Sequence, residues 1–224
     1  MSRQGPRFAS VVLDVDSTLS GIEGVDWLGE RRGGALAARV RELTARAMAG
    51  DIRIEDVYAQ RLDAIAPSRD DLRALGEAYV AHIAPGASAA VEALGRAGVR
   101  LEIVSGGFRP AALALAAHLG VAPACVHAVD IHFRKDGEYR EFDHASPLAR
   151  QNGKPELLRA LALPRPILAV GDGSTDLAMK TSGEADTFAA YVGYVRRAAV
   201  VAGADHVVSS FADVLALILH PYDD

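Results

Sequence analysis

A chain of 224 residues, half of them hydrophobic and with a formal net charge of -5, is long enough to bury one substantial core, or a core and a small insert, and nothing larger. Its Lys and Arg residues form no basic run and only 6% of its residues are aromatic, so it lacks both the electrostatic footprint and the stacking surface of a nucleic-acid binder. Every apolar stretch is interrupted before about 18 residues, which predicts no membrane span, and Asp14 and Asp16 break the run behind Arg3 and Arg7 before a signal-peptide core could form. The single cysteine, Cys125, has no internal disulfide partner and reads as a small buried hydrophobe. A soluble protein of the reducing cytoplasm is expected.

In chain order, the first predicted element is a strand from Phe8 to Leu13. It delivers Asp14 and Asp16, followed by Ser17 and Thr18, to a sheet edge. In extended chain the two carboxylates share a face, and ligands of open α/β sheets bind outside the carboxyl ends of the strands. Two such charges off a buried strand need a compensating cation or a shared proton.

Residues 20–83 then break the α/β rhythm. Leu36, Val40, Leu43 and Ala47 lie on one helical face, and Ile54, Val57, Tyr58, Arg61, Leu62 and Ile65 form a second helix stopped by Pro67. Ser68 with Asp71 is a capping box for a third, carrying Leu72, Leu75 and Tyr79. An insert at this point stands above Asp14 and Asp16, where a lid would stand.

Pro85-Gly86 returns the chain to the core. A strand from Val99 to Val104 precedes Ser105-Gly106-Gly107, and a helix opens at Pro110 and closes at Gly120. Residues Arg134 to Tyr139 carry the Asp-Gly signature of a tight hairpin. Lys154 sits at a helix start in Asn152-Gly153-Lys154-Pro155. A strand from Ile167 to Val170 precedes Gly171-Asp172-Gly173-Ser174-Thr175-Asp176. The alternation predicts an α/β fold with a parallel sheet and helices on both faces.

These four motifs, in this order, resemble the haloacid dehalogenase superfamily of phosphotransferases, and more narrowly its phosphoserine phosphatase branch. The likeness runs through nearly the whole chain and includes Glu23-Gly24-Val25-Asp26, Arg46-Ala47-Met48, Arg61-Leu62, Pro67-Ser68-Arg69 and Ser105-Gly106-Gly107-Phe108-Arg109. It implies a Rossmann-like three-layer catalytic core, residues 1–19 and 84–224, with a helical cap, residues 20–83, that selects the substrate. The implied reaction is Mg²⁺-dependent hydrolysis of O-phospho-L-serine to L-serine and phosphate, the last step of serine biosynthesis.

The resemblance also implies roles. Asp14 is the nucleophile and Asp16 the acid and base. Mg²⁺ is held by Asp14, Asp172 and the backbone carbonyl of Asp16, and Lys154, Ser105 and Gly106 hold the phosphoryl group. Asp176, with Thr175, stands one layer behind. In the cap, Glu23 meets the substrate's ammonium, Arg61 its carboxylate and Met48 its short aliphatic part. The chemistry suits these roles, because a carboxylate approaching a phosphate dianion is opposed by about 4 kcal/mol per charge pair at about 4 Å and an effective dielectric near 20. Cations must therefore come first.

Where the branch usually has Gly after the Met, this chain has Ala49, and Ile54 stands where a Phe commonly closes the pocket. Another small ester such as phosphothreonine is the alternative substrate. A phospho-accepting signalling receiver uses similar parts, but a built-in acid and base at Asp16 would shorten its signal. Gly171-Asp172-Gly173 is no dinucleotide fingerprint, since Asp176 stands where that motif has Gly, and Pro155 excludes a P-loop at Lys154. The expected partner is a small phosphate ester, with neither nucleic acid nor membrane, and the chain acts as a monomer or homodimer.

Overall fold

A computed structural model describes residues 5–219. The remaining ends of the expected core, Arg3 included, lie outside the described residues. The chain starts with β1 (Ser10–Leu13) and enters a helical insertion of α1 (Gly24–Arg32), α2 (Gly34–Ala49), α3 (Ile54–Ile65), α4 (Arg69–Ala81) and α5 (Ala87–Arg96). It continues through β2 (Arg100–Phe108), α6 (Arg109–Leu119), β3 (Val126–Val129) and the hairpin β4 (Ile131–Phe133) and β5 (Tyr139–Phe142). The last part alternates α7 (Gly153–Leu161), β6 (Ile167–Gly171), α8 (Ser174–Thr181), β7 (Thr187–Tyr191), α9 (Ala198–Gly203), β8 (His206–Val208) and α10 (Phe211–Leu219). Among the described residues no helix is long and apolar enough to cross a membrane.

The expected α/β class holds: the main sheet has six strands in the order β3-β2-β1-β6-β7-β8, every neighbouring pair parallel. β1 is apolar throughout after Ser10 because it runs through the middle of the sheet, Val11 pairing with Leu101 on one side and with Leu168 on the other, and is buried on both faces. From β1 the chain builds outward to β2 and β3, then crosses back to build β6, β7 and β8 on the other side. The reversal lies between β1 and β6, so the residues following those two strands, Asp14 and Asp172, flank the crevice where such sheets bind ligands.

Local chemistry sets the helix ends. Ser68 and Asp71 form the reciprocal capping box, Ser68 Oγ accepting from the Asp71 N–H at 3.1 Å and Asp71 Oδ2 from the Ser68 N–H at 3.0 Å. α6 carries Pro110 in its first turn and stops at Gly120, whose φ of 72° is the left-handed conformation glycine adopts without strain.

Three features differ from the sequence expectation. Besides the three expected helices the insertion holds α5 at its end and, between β1 and the first of them, α1. Helix α1 is mostly polar, buries only Gly24, Leu28 and Gly29, and so carries no clear apolar stripe. β2 does not end before Ser105 but runs on through Gly106 and Gly107 to Phe108, with a register shift against β3 between Val104 and Phe108. Cys125 is only half-buried, because it ends a 3-10 turn (Pro123–Cys125) at the surface beside β3.

The insertion is anchored to the core through α4. A Cβ on Gly76 would stand 2.7 Å from the Cβ of Ala114 in α6, so the two backbones approach as closely as only a glycine permits. At the start of α4 the Arg69 N–H donates to the Gly137 carbonyl at the hairpin tip, 2.9 Å away. Gly76→Val is expected to lower stability by about 1–3 kcal/mol through overpacking at this contact, read as a lower urea midpoint at unchanged slope.

Candidate active site

The sheet's carboxyl edge collects acids from separate strands around one cation. Asp14 follows β1 directly, and its N–H donates to the Val170 carbonyl of β6 at 3.1 Å. Lys154 enters from the first turn of α7, and its buried Nζ donates to Asp14 Oδ1 and to Asp176 Oδ1, each at 2.6 Å. Its direction is fixed by close packing, since a Cβ on Gly153 would lie 1.7 Å from the Pro147 carbonyl oxygen. Asp176 is in turn held by the Gly173 N–H, which donates to its Oδ2 at 3.0 Å. A Cβ on Gly171 would overlap the Asp176 carboxyl carbon at 2.2 Å, so the end of β6 has to be glycine.

Carboxylate oxygens of Asp14, Asp172 and Asp176 all lie within 4.8 Å of one another, and all three residues are buried. Burial, reinforced by the charge of Asp176, pushes the Asp14 carboxyl well above its usual range even though Lys154 opposes this. Burial also lifts Asp172 to about 6, against the pull of Arg197. Burial works against the Lys154 ammonium too, but Asp14 and Asp176 outweigh it and hold the lysine charged. Two cations, the Lys154 ammonium and the Arg197 guanidinium on Asp172, cannot neutralise three buried carboxylates. An all-oxygen donor set with surplus negative charge suits a hard divalent cation, which carboxylates of this group, Asp14, Asp172 and Asp176, could hold.

Asp16 is oriented differently. Its Oδ1 accepts from the Gly24 N–H at 2.5 Å and from the Tyr79 hydroxyl at 2.7 Å, while Oδ2 has a longer contact, 3.4 Å, from Ser105 Oγ. Burial raises its pKa, and the hydrogen bonds from Tyr79 and Gly24 work the other way. Ser105 Oγ also accepts from the Gly107 N–H at 2.9 Å, which folds the end of β2 around the edge.

Facing this edge, the insertion closes a cavity of about 60 Å³ whose wall includes Asp14, Asp16, Glu23, Met48, Arg61 and Lys154. Gly106, Asp172 and Thr175 line it as well, whereas Ser105 and Asp176 stand behind the wall. Glu23 accepts from Ser17 Oγ at 2.7 Å and from Arg197 Nη2 at 3.4 Å. Burial, with repulsion from Asp16 and Asp172, lifts it to about 8. Ser17 reaches it from a left-handed backbone, φ 51°, a conformation that costs a non-glycine residue energy.

Arg61 is 3% exposed. Its Nη1 donates to Thr44 Oγ1 at 3.0 Å, and the Thr44 hydroxyl in turn donates to Asp26 Oδ1 at 2.7 Å, while Arg61 Nε is buried with no hydrogen-bond acceptor from the described residues. Met48 Sδ lies 3.2 Å from where a Cβ on Gly173 would be, so the methionine seats against the β6 loop.

Some residues of this arrangement were not legible in the sequence as site residues. Arg197, between β7 and α9, pairs with Asp172 Oδ2 at 2.9 Å as well as with Glu23, yet nothing in its local sequence marks it. Tyr58 and Tyr79 read as core positions of amphipathic helices. Their rings are indeed buried, but the hydroxyls reach the site: that of Tyr58 donates to the Gly106 carbonyl at 2.9 Å. Only the polar end of an otherwise apolar helix face could have signalled this.

Comparison with known proteins agrees with this geometry. Residues 11–180 match the family model described as haloacid dehalogenase-like hydrolase. The phosphoserine phosphatase of Mus musculus is 35% identical over 209 residues, covering 92% of this chain and 91% of its own. The chloroplastic phosphoserine phosphatase of Arabidopsis thaliana is 33% identical, over 92% of this chain and 70% of its own. A solved phosphoserine phosphohydrolase-like protein from Francisella tularensis superposes with a TM-score of 0.86 at 25% identity, covering 93% of this chain and 98% of its own. Sequence, sheet topology and edge chemistry thus converge, and the chain belongs to the haloacid dehalogenase-like hydrolases and, within them, to the phosphoserine phosphatase family.

Proposed function

We propose that this chain hydrolyses O-phospho-L-serine to L-serine and phosphate through a phosphorylated Asp14, as the closing step of serine biosynthesis. The observation that carries this reading is a single cavity in which Glu23 and Arg61 face the Asp14 and Lys154 pair. A phosphorylated amino acid presents three charges, and the wall offers each an opposite partner: a carboxylate for the ammonium, a guanidinium for the carboxylate, an ammonium for the phosphate. A sugar phosphate would call for neutral hydrogen-bonding groups instead. The spare donor of Arg61, Nε, suits a carboxylate that arrives with the substrate.

In this reading Lys154 fixes Asp14 and neutralises the phosphoryl oxygens while Asp14 attacks phosphorus in line. Asp16 gives its proton to the departing serine oxygen and later takes one from the water that releases phosphate. Glu23, raised to about 8 before substrate arrives, regains its charge when an ammonium sits against it. Asp176 holds Lys154 in line, and Thr175 borders the phosphoryl side. A Mg²⁺ ion held by Asp14, Asp172 and the backbone carbonyl of Asp16 would supply the remaining positive charge against the phosphate and the nucleophile.

Ile54 stands on the cavity wall, where its modest bulk favours a second reading in which the methyl group of phosphothreonine is also accepted. Every residue invoked comes from one chain, so a monomer suffices and a homodimer would leave the site unaltered. The half-buried thiol of Cys125 suits the reducing cytoplasm.

The reading is tested by steady-state kinetics on L-phosphoserine, D-phosphoserine, L-phosphothreonine and a sugar phosphate. A preference for the sugar phosphate would overturn it. Asp14→Asn is expected to abolish turnover, with rapid-quench mass spectrometry of the unaltered enzyme finding the phosphoryl label at position 14. Glu23→Gln is expected to raise KM for phosphoserine by roughly tenfold or more, and far less for an aryl phosphate, since a lost charge-assisted contact is worth about 1.5–3 kcal/mol.

The raised carboxyls also set the pH dependence of stability. Unfolded, Glu23 and Asp172 titrate in the ordinary range near about 4, but folded they titrate at about 8 and about 6. Between those limits the folded state holds more protons than the unfolded one, so stability in EDTA is expected to fall as pH rises from about 4 to 8. Urea unfolding at pH 5.5 and 8 checks the sign, and millimolar Mg²⁺ is expected to recover more stability at the higher pH.

A further inference from the structure

The carboxylate of Asp16 is held at Oδ1 from the insertion. Both short contacts to this oxygen come from there, the Gly24 N–H at the start of α1 and the Tyr79 hydroxyl on α4. Tyr79 is 1% exposed, and its hydroxyl lies 63 residues from Asp16 in sequence. Its helix is fixed at three points: the capping box at Ser68, the Arg69 N–H on the Gly137 carbonyl, and the close approach to α6 at Gly76, one turn before the tyrosine. The hydroxyl is thus presented by a rigid support.

A general acid must offer its proton from the oxygen that meets the leaving group, within about 2.6–3.2 Å. A carboxyl group able to rotate offers either oxygen. Two donors on one oxygen make that oxygen the carbonyl-like acceptor, and the acid hydrogen then resides on the other. Here the doubly bonded oxygen is Oδ1. The free one, Oδ2, has only the 3.4 Å contact with Ser105, and a Cβ on Gly107 would stand 3.0 Å from it. Gly107 lies on the cavity wall, so the missing side chain leaves the approach to Oδ2 open from the substrate side.

We propose that Tyr79 is a positioning residue for the reaction, tying down Oδ1 of Asp16 so that Oδ2 faces the departing serine oxygen. The inference rests on the reading of Asp16 as the acid and deepens it. In the first step the Asp16 O–H bond breaks at Oδ2 and the proton passes to the serine oxygen. At the same time the ester P–O bond breaks and the Asp14 O–P bond forms. In the second step a water oxygen bonds to phosphorus, its proton returns to Asp16, and the Asp14 O–P bond breaks. Phenylalanine at position 79 would fill the same volume and leave Oδ1 with one donor.

The test compares kcat/KM for L-phosphoserine, whose leaving alkoxide needs a proton, with kcat/KM for 4-nitrophenyl phosphate, whose leaving group hardly does. Both are measured with Mg²⁺ present, because kcat/KM reports the steps up to phosphorylation of Asp14. General acid catalysis contributes about 10²–10⁴-fold, and misplacing the acid forfeits part of that. Tyr79→Phe is expected to lower the phosphoserine value about 10–100-fold and to lower the aryl value at least tenfold less. An equal loss on both substrates, or no loss, would overturn the proposal.

If Tyr79→Phe does not fold, as circular dichroism would show, Gly24→Ala takes its place with the same expected ratio. Its new Cβ would lie 2.2 Å from the Tyr79 hydroxyl oxygen and 3.1 Å from both Tyr79 Cζ and Asp16 Oδ1, so the phenol is pushed off Oδ1 ring and all. Asp16→Asn separates the two levels of inference. A loss selective for phosphoserine in Asp16→Asn but not in Tyr79→Phe sinks the role of Tyr79 alone, whereas an equal loss on both substrates in Asp16→Asn sinks the reading of Asp16 and this proposal together.

Discussion

Three buried carboxylates crowded around one ammonium are the constraint on which the rest of the site depends. Asp14 and Asp172 follow the carboxyl ends of adjacent strands and Asp176 lies in the first turn of α8, and Lys154 binds Asp14 and Asp176 at 2.6 Å each. Each buried charge is costly unless paired, and the pairing here is incomplete: among the described residues no second lysine or arginine reaches Asp14. The surplus negative charge suits the edge to a cation rather than to a closed ion-pair network. Arg197 shows the same pressure from the other side, its guanidinium spanning Asp172 and Glu23.

Crowding these groups together explains why glycine stands at two points of the surrounding backbone. Gly153 lets α7 press against the preceding turn so that Lys154 enters at the right height, and Gly171 lets Asp176 fold back over the end of β6. Neither glycine adopts a left-handed conformation. Their role is close approach, because the cation and its acids must meet within hydrogen-bond distance while emerging from a helix and from a strand-to-helix turn.

Much of this was legible in the sequence because the carriers are short and local. An apolar run ending in Asp14, another ending in Gly171-Asp172 and a helix opening at Lys154 each state their position through a few adjacent residues, and parallel pairing of β1 with β6 brings them together. The insertion was less legible. α1 escaped because its faces are mixed, and the register shift near Ser105 is a property of two strands that neither shows alone. Arg197 and Tyr79 were invisible as site residues for a physical reason: each reaches the site across a tertiary gap, from a loop and from a core helix, and long-range contacts leave no local period.

The two acids of the first motif end up serving different layers of the molecule. In a strand Asp14 and Asp16 would lie side by side with equal surroundings. The chain turns after Leu13 instead, and Ser17 takes a left-handed conformation just beyond. Asp14 then answers to the core, through Lys154 and the backbone of β6, while Asp16 answers to the insertion through Gly24 and Tyr79. A nucleophile and an acid need opposite protonation states in the same step, and carboxyls in equal surroundings at close range would share one proton without preference. Separating their partners is how neighbouring residues of one type acquire distinct duties. One of those partners is the insertion that also carries Glu23 and Arg61, so in the proposed mechanism the acid is set in place by the same layer that supplies the substrate contacts.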